Sequence, residues 1–349
     1  VTENGANSYP WELGSATGIG SMPGTDPAEA SRIVVDELPD FPFLPELPAR
    51  GPGADLIGRT AALLIDIPVE TVPTGWRIAE RPSRVMRAAQ SMLSSDLDTM
   101  EEQLAGFEGP LKVSLTGPWT LAARIELPKT LNPALSDAGA VNDLTASLAE
   151  ATKGFVADVA ERVPGATLIL QLDEPALTAV TEGQIPTASG LSRVAVPDQA
   201  VISERLQAVL AAAGSYTVVH CCAGHVAFEI IMAARPDAIS FDLSRLRRED
   251  GDAIAEIADT GAGIFAGAVR TILPGNTRDD PPAQTARNIL RFWRALGMNP
   301  SDAAKQIVVT PACGLAGASP TRAVEALKHA REAARIVPEL AEETTGDDE

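Results

Sequence analysis

What most constrains this chain is an order that repeats. Eight strand-like apolar runs alternate with helix-like stretches: ATGIGS (16–21), FPFLPE (41–46), LKVSLTG (111–117), ATLILQLDE (166–174), YTVVHCC (216–222), AISFDLS (238–244), AGIFAGAV (262–269) and QIVVTPACG (306–314). Most positions inside these runs are apolar, as a parallel sheet with helices packed over it requires. Closing eight such units into a ring gives a single (β/α)8 TIM-type barrel, expected over residues 13–340. A doubly wound open sheet is the alternative.

The intervening stretches read as helices. Asp26, Pro27, Ala28 and Glu29 form an N-cap, a proline start and a glutamate that reaches back. Leu144, Leu148, Phe155, Val159 and Val163 recur on one helical face. Ser319 and Pro320 repeat the cap-and-proline start. The long gap after the second run holds IDIPVETVPTGWRI (65–78), expected to be a hairpin or lid near the barrel mouth. Residues 1–12 and the acidic tail 341–349 lack apolar periodicity and are expected to be flexible.

Composition removes several classes of function. A formal net charge of −19 leaves little to neutralise phosphates, which argues against nucleic acid. No apolar run is long enough for a membrane span, and the opening VTENGANSYPWELG lacks the shape of an export signal. Three cysteines are too few for a disulfide framework; reduced thiols in a cytoplasmic protein are the expectation.

Barrel enzymes carry their chemistry at the carboxyl ends of the strands. Here those ends bear Ser21, Glu46, Thr116, Asp173 with Glu174, His220 with Cys222, Asp242 and Cys313, and the remaining one lies near Arg270. His220 and Cys222 stand two apart on a strand and share a side, whereas Cys221 faces away. With Cys313 and Asp242 they make an N/S/S/O set suited to a four-coordinate zinc ion. His225 falls in the following loop. The residues alone leave a second account open, in which the cysteines are small buried hydrophobes and Asp242 caps the next helix.

Together these segments resemble the catalytic carboxyl-terminal barrel of cobalamin-independent methionine synthase. The matching stretches are IGSMP (19–23), LTGPWT (115–120), QLDEPAL (171–177), HCC (220–222), ISFD (239–242) and PACGL (311–315), in the family's order. The resemblance implies a zinc site at His220, Cys222, Asp242 and Cys313. It implies that Ile19, Gly20, Ser21 and Asp173 hold homocysteine, the thiol that zinc would ionise for methyl transfer. Glu46 is a second partner for the substrate's ammonium. Glu174 is read either as a substrate contact or as a helix cap, and Trp119 as a stacking surface or a packed indole.

This chain departs from the family's pattern in three ways. Asp242 stands where the family has glutamate. GAVRTILPGN (267–276) has no histidine where the family has a catalytic one. There is room for one barrel, where the full-length enzyme has two. The methyl donor is accordingly either methyltetrahydrofolate or a corrinoid carried by another protein. Two competing readings are a barrel related to uroporphyrinogen decarboxylase, disfavoured because the first thirty residues contain no arginine, and a non-catalytic barrel that binds an amino acid or a partner.

Overall fold

The computed structural model describes residues 9–273, 275 and 277–346. Its regular strands are β1 (Val69–Val72), β2 (Gly75–Ile78), β3 (Gly109–Thr116), β4 (Ile125–Glu126), β5 (Ala166–Asp173), β6 (Tyr216–His220), β7 (Ala238–Asp242), β8 (Gly263–Val269) and β9 (Ile307–Pro311). Six of them form one parallel sheet in the order β3-β5-β6-β7-β8-β9.

Two irregular staves close that sheet into a ring. Residues 16–21 meet β9 through the parallel bridge Ala16–Val309, residues 41–46 meet β3 through Phe43–Lys112, and Ser21 bridges Glu46 between the two staves. The backbone hydrogen bonds behind this closure are Thr17 N to Val309 O (3.1 Å), Glu46 N to Gly20 O (3.0 Å) and Leu44 N to Lys112 O (2.9 Å). Pro42 and Pro45 have no N–H to offer a ladder, so the second stave pairs at single points rather than along its length. The expected eight-stave barrel is therefore present, with two of its staves as isolated bridges.

The barrel interior changes character along its axis. Ile169, Val218, Ala238, Phe265 and Val308 pack with Trp11 and Phe41 as an apolar layer toward the amino ends of the strands. The Trp11 ring lies stacked on Phe41 and edge-on to Phe265, and its Nε1 donates to Lys305 O at 3.0 Å. Residues 9–12, expected to belong to a flexible leader, are thus anchored by aromatic packing at the closed end. Two positions further along the strands the same side presents Gln171, His220, Ser240, Gly267 and Thr310, and the layer turns polar.

Outside, the helices bury the expected faces. Helix Ala138–Arg162 buries Leu144, Leu148, Phe155 and Val159. Asp26 caps Pro27–Glu37 by accepting from Ala28 N at 2.9 Å and Glu29 N. The last helix, Pro320–Gly346, continues six residues into the segment expected to be an irregular tail; residues 347–349 lie outside the described set. The 65–78 insert forms the antiparallel hairpin β1–β2, which β4 extends on one side.

Candidate metal and substrate site

At the carboxyl ends of the staves lies a cavity of about 250 Å³, lined by Ile19, Ser21, Glu46, Pro48, Leu56, Asp173, Pro175, His220, Cys222, Cys313 and Gly314. Strand register explains the gathering. Asp173 pairs with His220 across β5–β6, and His220 with Ser240 across β6–β7. Cys222 lies two residues past β6, and Cys313 two past β9, where both can turn inward over the mouth.

His220, Cys222 and Cys313 each bring one ligand atom into a group whose members all lie within 4.8 Å of one another. The two sulfurs are 3.0 Å apart. Cys222 shares its proton with Cys313, which holds Cys313 well below the ordinary thiol range and pushes Cys222 above it; the neighbouring His220 deepens the first effect. The imidazole is buried, and its Nδ1 lies 2.8 Å from Ser240 Oγ. Its Nε2 makes no hydrogen bond among the described residues. A buried nitrogen without a partner is costly, and beside two sulfurs it is the donor set that zinc prefers.

Asp242 does not join this group. Its carboxylate accepts from Ser244 N at 2.8 Å and Ser244 Oγ at 2.6 Å, and it lies 3.3 Å from Arg245 Nε. It caps the short turn Leu243–Arg245 and lines a different cavity, together with Gly267, Arg270 and Asn288. The carboxylate expected as a fourth ligand is thus engaged in local capping at the strand exit, and the group whose ligand atoms meet within 4.8 Å consists of His220, Cys222 and Cys313. His225 is exposed and pairs with Glu182.

Two buried carboxylates face the same cavity. Glu46 is held by Arg59 Nη1 at 3.1 Å, and Asp173 Oδ1 accepts from Gln171 Nε2 at 2.8 Å. Burial pushes the Asp173 carboxyl up to about 7, with His220 pulling against it and Glu46 adding to the rise. Ile19 and Ser21 line the cavity, and Gly20 lies between them. Ser21 O accepts from Leu315 N at 2.8 Å, which docks the Cys313 loop onto this stave. A Cβ on Gly314 would lie 2.1 Å from Ser21 Oγ, so a side chain there would have to displace that hydroxyl.

Glu174 and Trp119 lie elsewhere. Glu174 accepts from Trp119 N, Thr120 N and Thr120 Oγ1 at 2.9, 2.8 and 2.6 Å, capping helix Pro118–Arg124. The Trp119 indole is fully buried and donates to Ile202 O at 2.9 Å. The structure thus carries the helix-cap and packed-indole alternatives for these two.

Sequence reasoning missed Arg59, Lys112, Gln171 and Ser240. Three of them carried a readable signal: a polar side chain inside an apolar run, as in LKVSLTG, LILQLDE and AISFDLS. Arg59 lies on the short helix Leu56–Ala61, and nothing around it in the sequence marks it.

A family model described as cobalamin-independent synthase, catalytic domain, matches residues 14–336. This chain belongs to that family. The cobalamin-independent synthase catalytic domain accordingly accounts for nearly all of the barrel. A B12-independent methionine synthase from Shewanella sp. W3-18-1, solved with selenomethionine, superposes with a TM-score of 0.62 at 13% identity, covering 94% of this chain and 98% of that one. Weaker likenesses include a β-1,4-D-mannanase from Cryptopygus antarcticus (TM-score 0.44, 9% identity, 92% and 90% covered). An aldo-keto reductase from Bacillus halodurans gives 0.36 at 12% identity, with 93% and 95% covered. No curated protein matches the chain. Among the described residues, no helix is long and apolar enough to cross a membrane.

Proposed function

We propose that this synthase-family barrel is a zinc-dependent S-methyltransferase whose acceptor is the thiol of homocysteine or a similar small aminothiol. The observation that carries the reading is the meeting of His220, Cys222 and Cys313 in a cavity that also presents Glu46 and Asp173. The three would hold the ion and leave one position for an exchangeable ligand, as catalytic rather than structural zinc requires. When bound, zinc supplies the Lewis acidity that ionises a thiol near neutral pH.

The protein's own residues do the rest. Ser240 holds His220 through its Nδ1, which would leave Nε2 available to the ion. Asp173 and Glu46 attract the ammonium of the amino acid, more strongly in a buried cavity than in water. The acceptor sulfur forms its bond to the methyl carbon as the methyl–donor bond breaks, and the donor keeps that electron pair.

The donor is methyltetrahydrofolate or the methyl group of a corrinoid protein. A departing folate nitrogen needs a proton, whereas a corrinoid cobalt leaves with its electron pair alone. The chain has three histidines: His220 in the metal group, His225 paired with Glu182, and His329 buried beside Thr285. That distribution favours the corrinoid. A cytoplasmic location belongs to the same reading and rests on a chain of only three cysteines.

The test is zinc content of protein purified without added metal, followed by methyl transfer to homocysteine from methyltetrahydrofolate, methylcobalamin and a methylated corrinoid protein in parallel. Stoichiometric zinc and S-methylation from one donor are expected. Protein that neither retains nor takes up zinc would overturn the reading. Full zinc without homocysteine ligation would favour the non-catalytic binding barrel.

A further inference from the structure

We propose that Lys112 is a positioning residue of the acceptor site, holding from behind the backbone wall against which the aminothiol binds. This rests on the function proposed above. Lys112 is fully buried on β3 and does not line the cavity. Its Nζ donates to Ile19 O at 2.7 Å. Gln171 Nε2 reaches the same carbonyl at 2.9 Å and Ser114 Oγ at 3.4 Å, so three side chains from β3 and β5 converge on one oxygen.

That carbonyl begins the segment Ile19–Ser21, on which the site's parts are hung. Glu46 N donates to Gly20 O at 3.0 Å, and Leu315 N donates to Ser21 O at 2.8 Å, so the acidic stave and the Cys313 loop are both fastened to it. Packing alone would be served by methionine at position 112. An interior ammonium costs several kcal/mol unless it is paired. Burial pulls this one down to about 8, while Asp173 and Glu46 act to keep it charged. With Arg59 on Glu46, the two cavity carboxylates are backed by two cations that do not themselves line the cavity. The arrangement keeps an acidic face toward the cavity without leaving its charge unbalanced.

The experiment uses the full zinc-loaded chain and the variants Lys112→Met and Gln171→Leu. Calorimetry of homocysteine binding comes first, then metal content, kcat and KM. Lys112→Met is expected to keep its zinc and most of its kcat, while KM and Kd for homocysteine rise roughly ten- to a hundredfold, the worth of a hydrogen bond to a charged group. Gln171→Leu, which leaves the ammonium in place, is expected to move both constants in the same direction by less. Unchanged KM in Lys112→Met overturns the proposal, as does loss of zinc and kcat in step with KM. If Lys112→Met does not fold, Gln171→Leu decides, and an unchanged KM there overturns it. Wild-type protein that binds no homocysteine removes the functional reading itself, and the proposal with it.

Discussion

The sulfurs of Cys222 and Cys313 lie 3.0 Å apart although 91 residues separate them in the chain. They follow β6 and β9, which are not neighbours in the sheet, so the contact reaches across the barrel mouth rather than along a ladder. Curvature of the whole ring is needed to bring them together. A group assembled in this way exists only in the folded protein, and any ion it binds stabilises the native state by mass action.

Replacing either sulfur ligand should therefore be visible in stability as well as in chemistry. In Cys222→Ser and Cys313→Ser, zinc affinity is expected to fall on the order of a hundredfold or more, judging from the smaller losses that changes to outer-shell partners cause. Added zinc should raise the melting temperature of wild type and leave that of the variants nearly unmoved. Equal zinc-dependent shifts in all three proteins would mean that the ion binds elsewhere.

Ser240 does not line the cavity, yet its hydroxyl is the partner of His220 Nδ1. Ser240→Ala should leave the fold intact and weaken zinc binding roughly ten- to a hundredfold through a less well oriented imidazole. A competition titration with a chromogenic chelator measures this directly. Affinity equal to wild type would show that packing alone holds the ring.

Asp242 offers the contrary case. Its carboxylate caps Leu243–Arg245, so Asp242→Ala is expected to cost about 1 kcal/mol of stability, the usual worth of an N-cap, and to leave zinc content unchanged. Denaturant unfolding and elemental analysis of the same preparation separate the two effects. Zinc lost from Asp242→Ala while the protein stays folded would restore it as a ligand.

How much of this was legible in the sequence follows from what each residue depends on. All eight staves could be read because each is a run of apolar residues, a pattern local to the strand. The pairing of His220 and Cys222 follows from a spacing of two, which is also local. Cys313 joined them only on the assumption of a closed barrel, which then proved right. Asp242 was open to two readings because a carboxylate at a strand exit serves equally as ligand or cap, and its capping contacts depend on where Ser244 and Arg245 lie. The buried cations Arg59 and Lys112 were passed over because each compensates carboxylates from other staves. Neither the fastening at Ile19 nor the salt bridge to Glu46 appears until the ring closes. Irregular pairing at 41–46, by contrast, was written in Pro42 and Pro45.

Glu174 carries the pH dependence that tests the electrostatics of the rim. Three donors favour its ionised form, but complete burial outweighs them and pushes the carboxyl from its ordinary 4.5 up to about 7. The folded state thus binds this proton more tightly than the unfolded chain does. Its contribution to stability is full below pH 4.5 and is lost as pH rises through about 7. Wild-type stability should therefore decline between about pH 5 and 8, with Asp173 adding to the fall in the same sense. Glu174→Gln cannot titrate, and one of its two polar atoms becomes a donor facing a donor. It is expected to start less stable and to decline less steeply over the same window. The diagnostic quantity is the slope of unfolding free energy against pH, not the absolute melting temperature. Parallel slopes would show that the three hydrogen bonds keep Glu174 ionised in the folded protein and that burial does not govern this site.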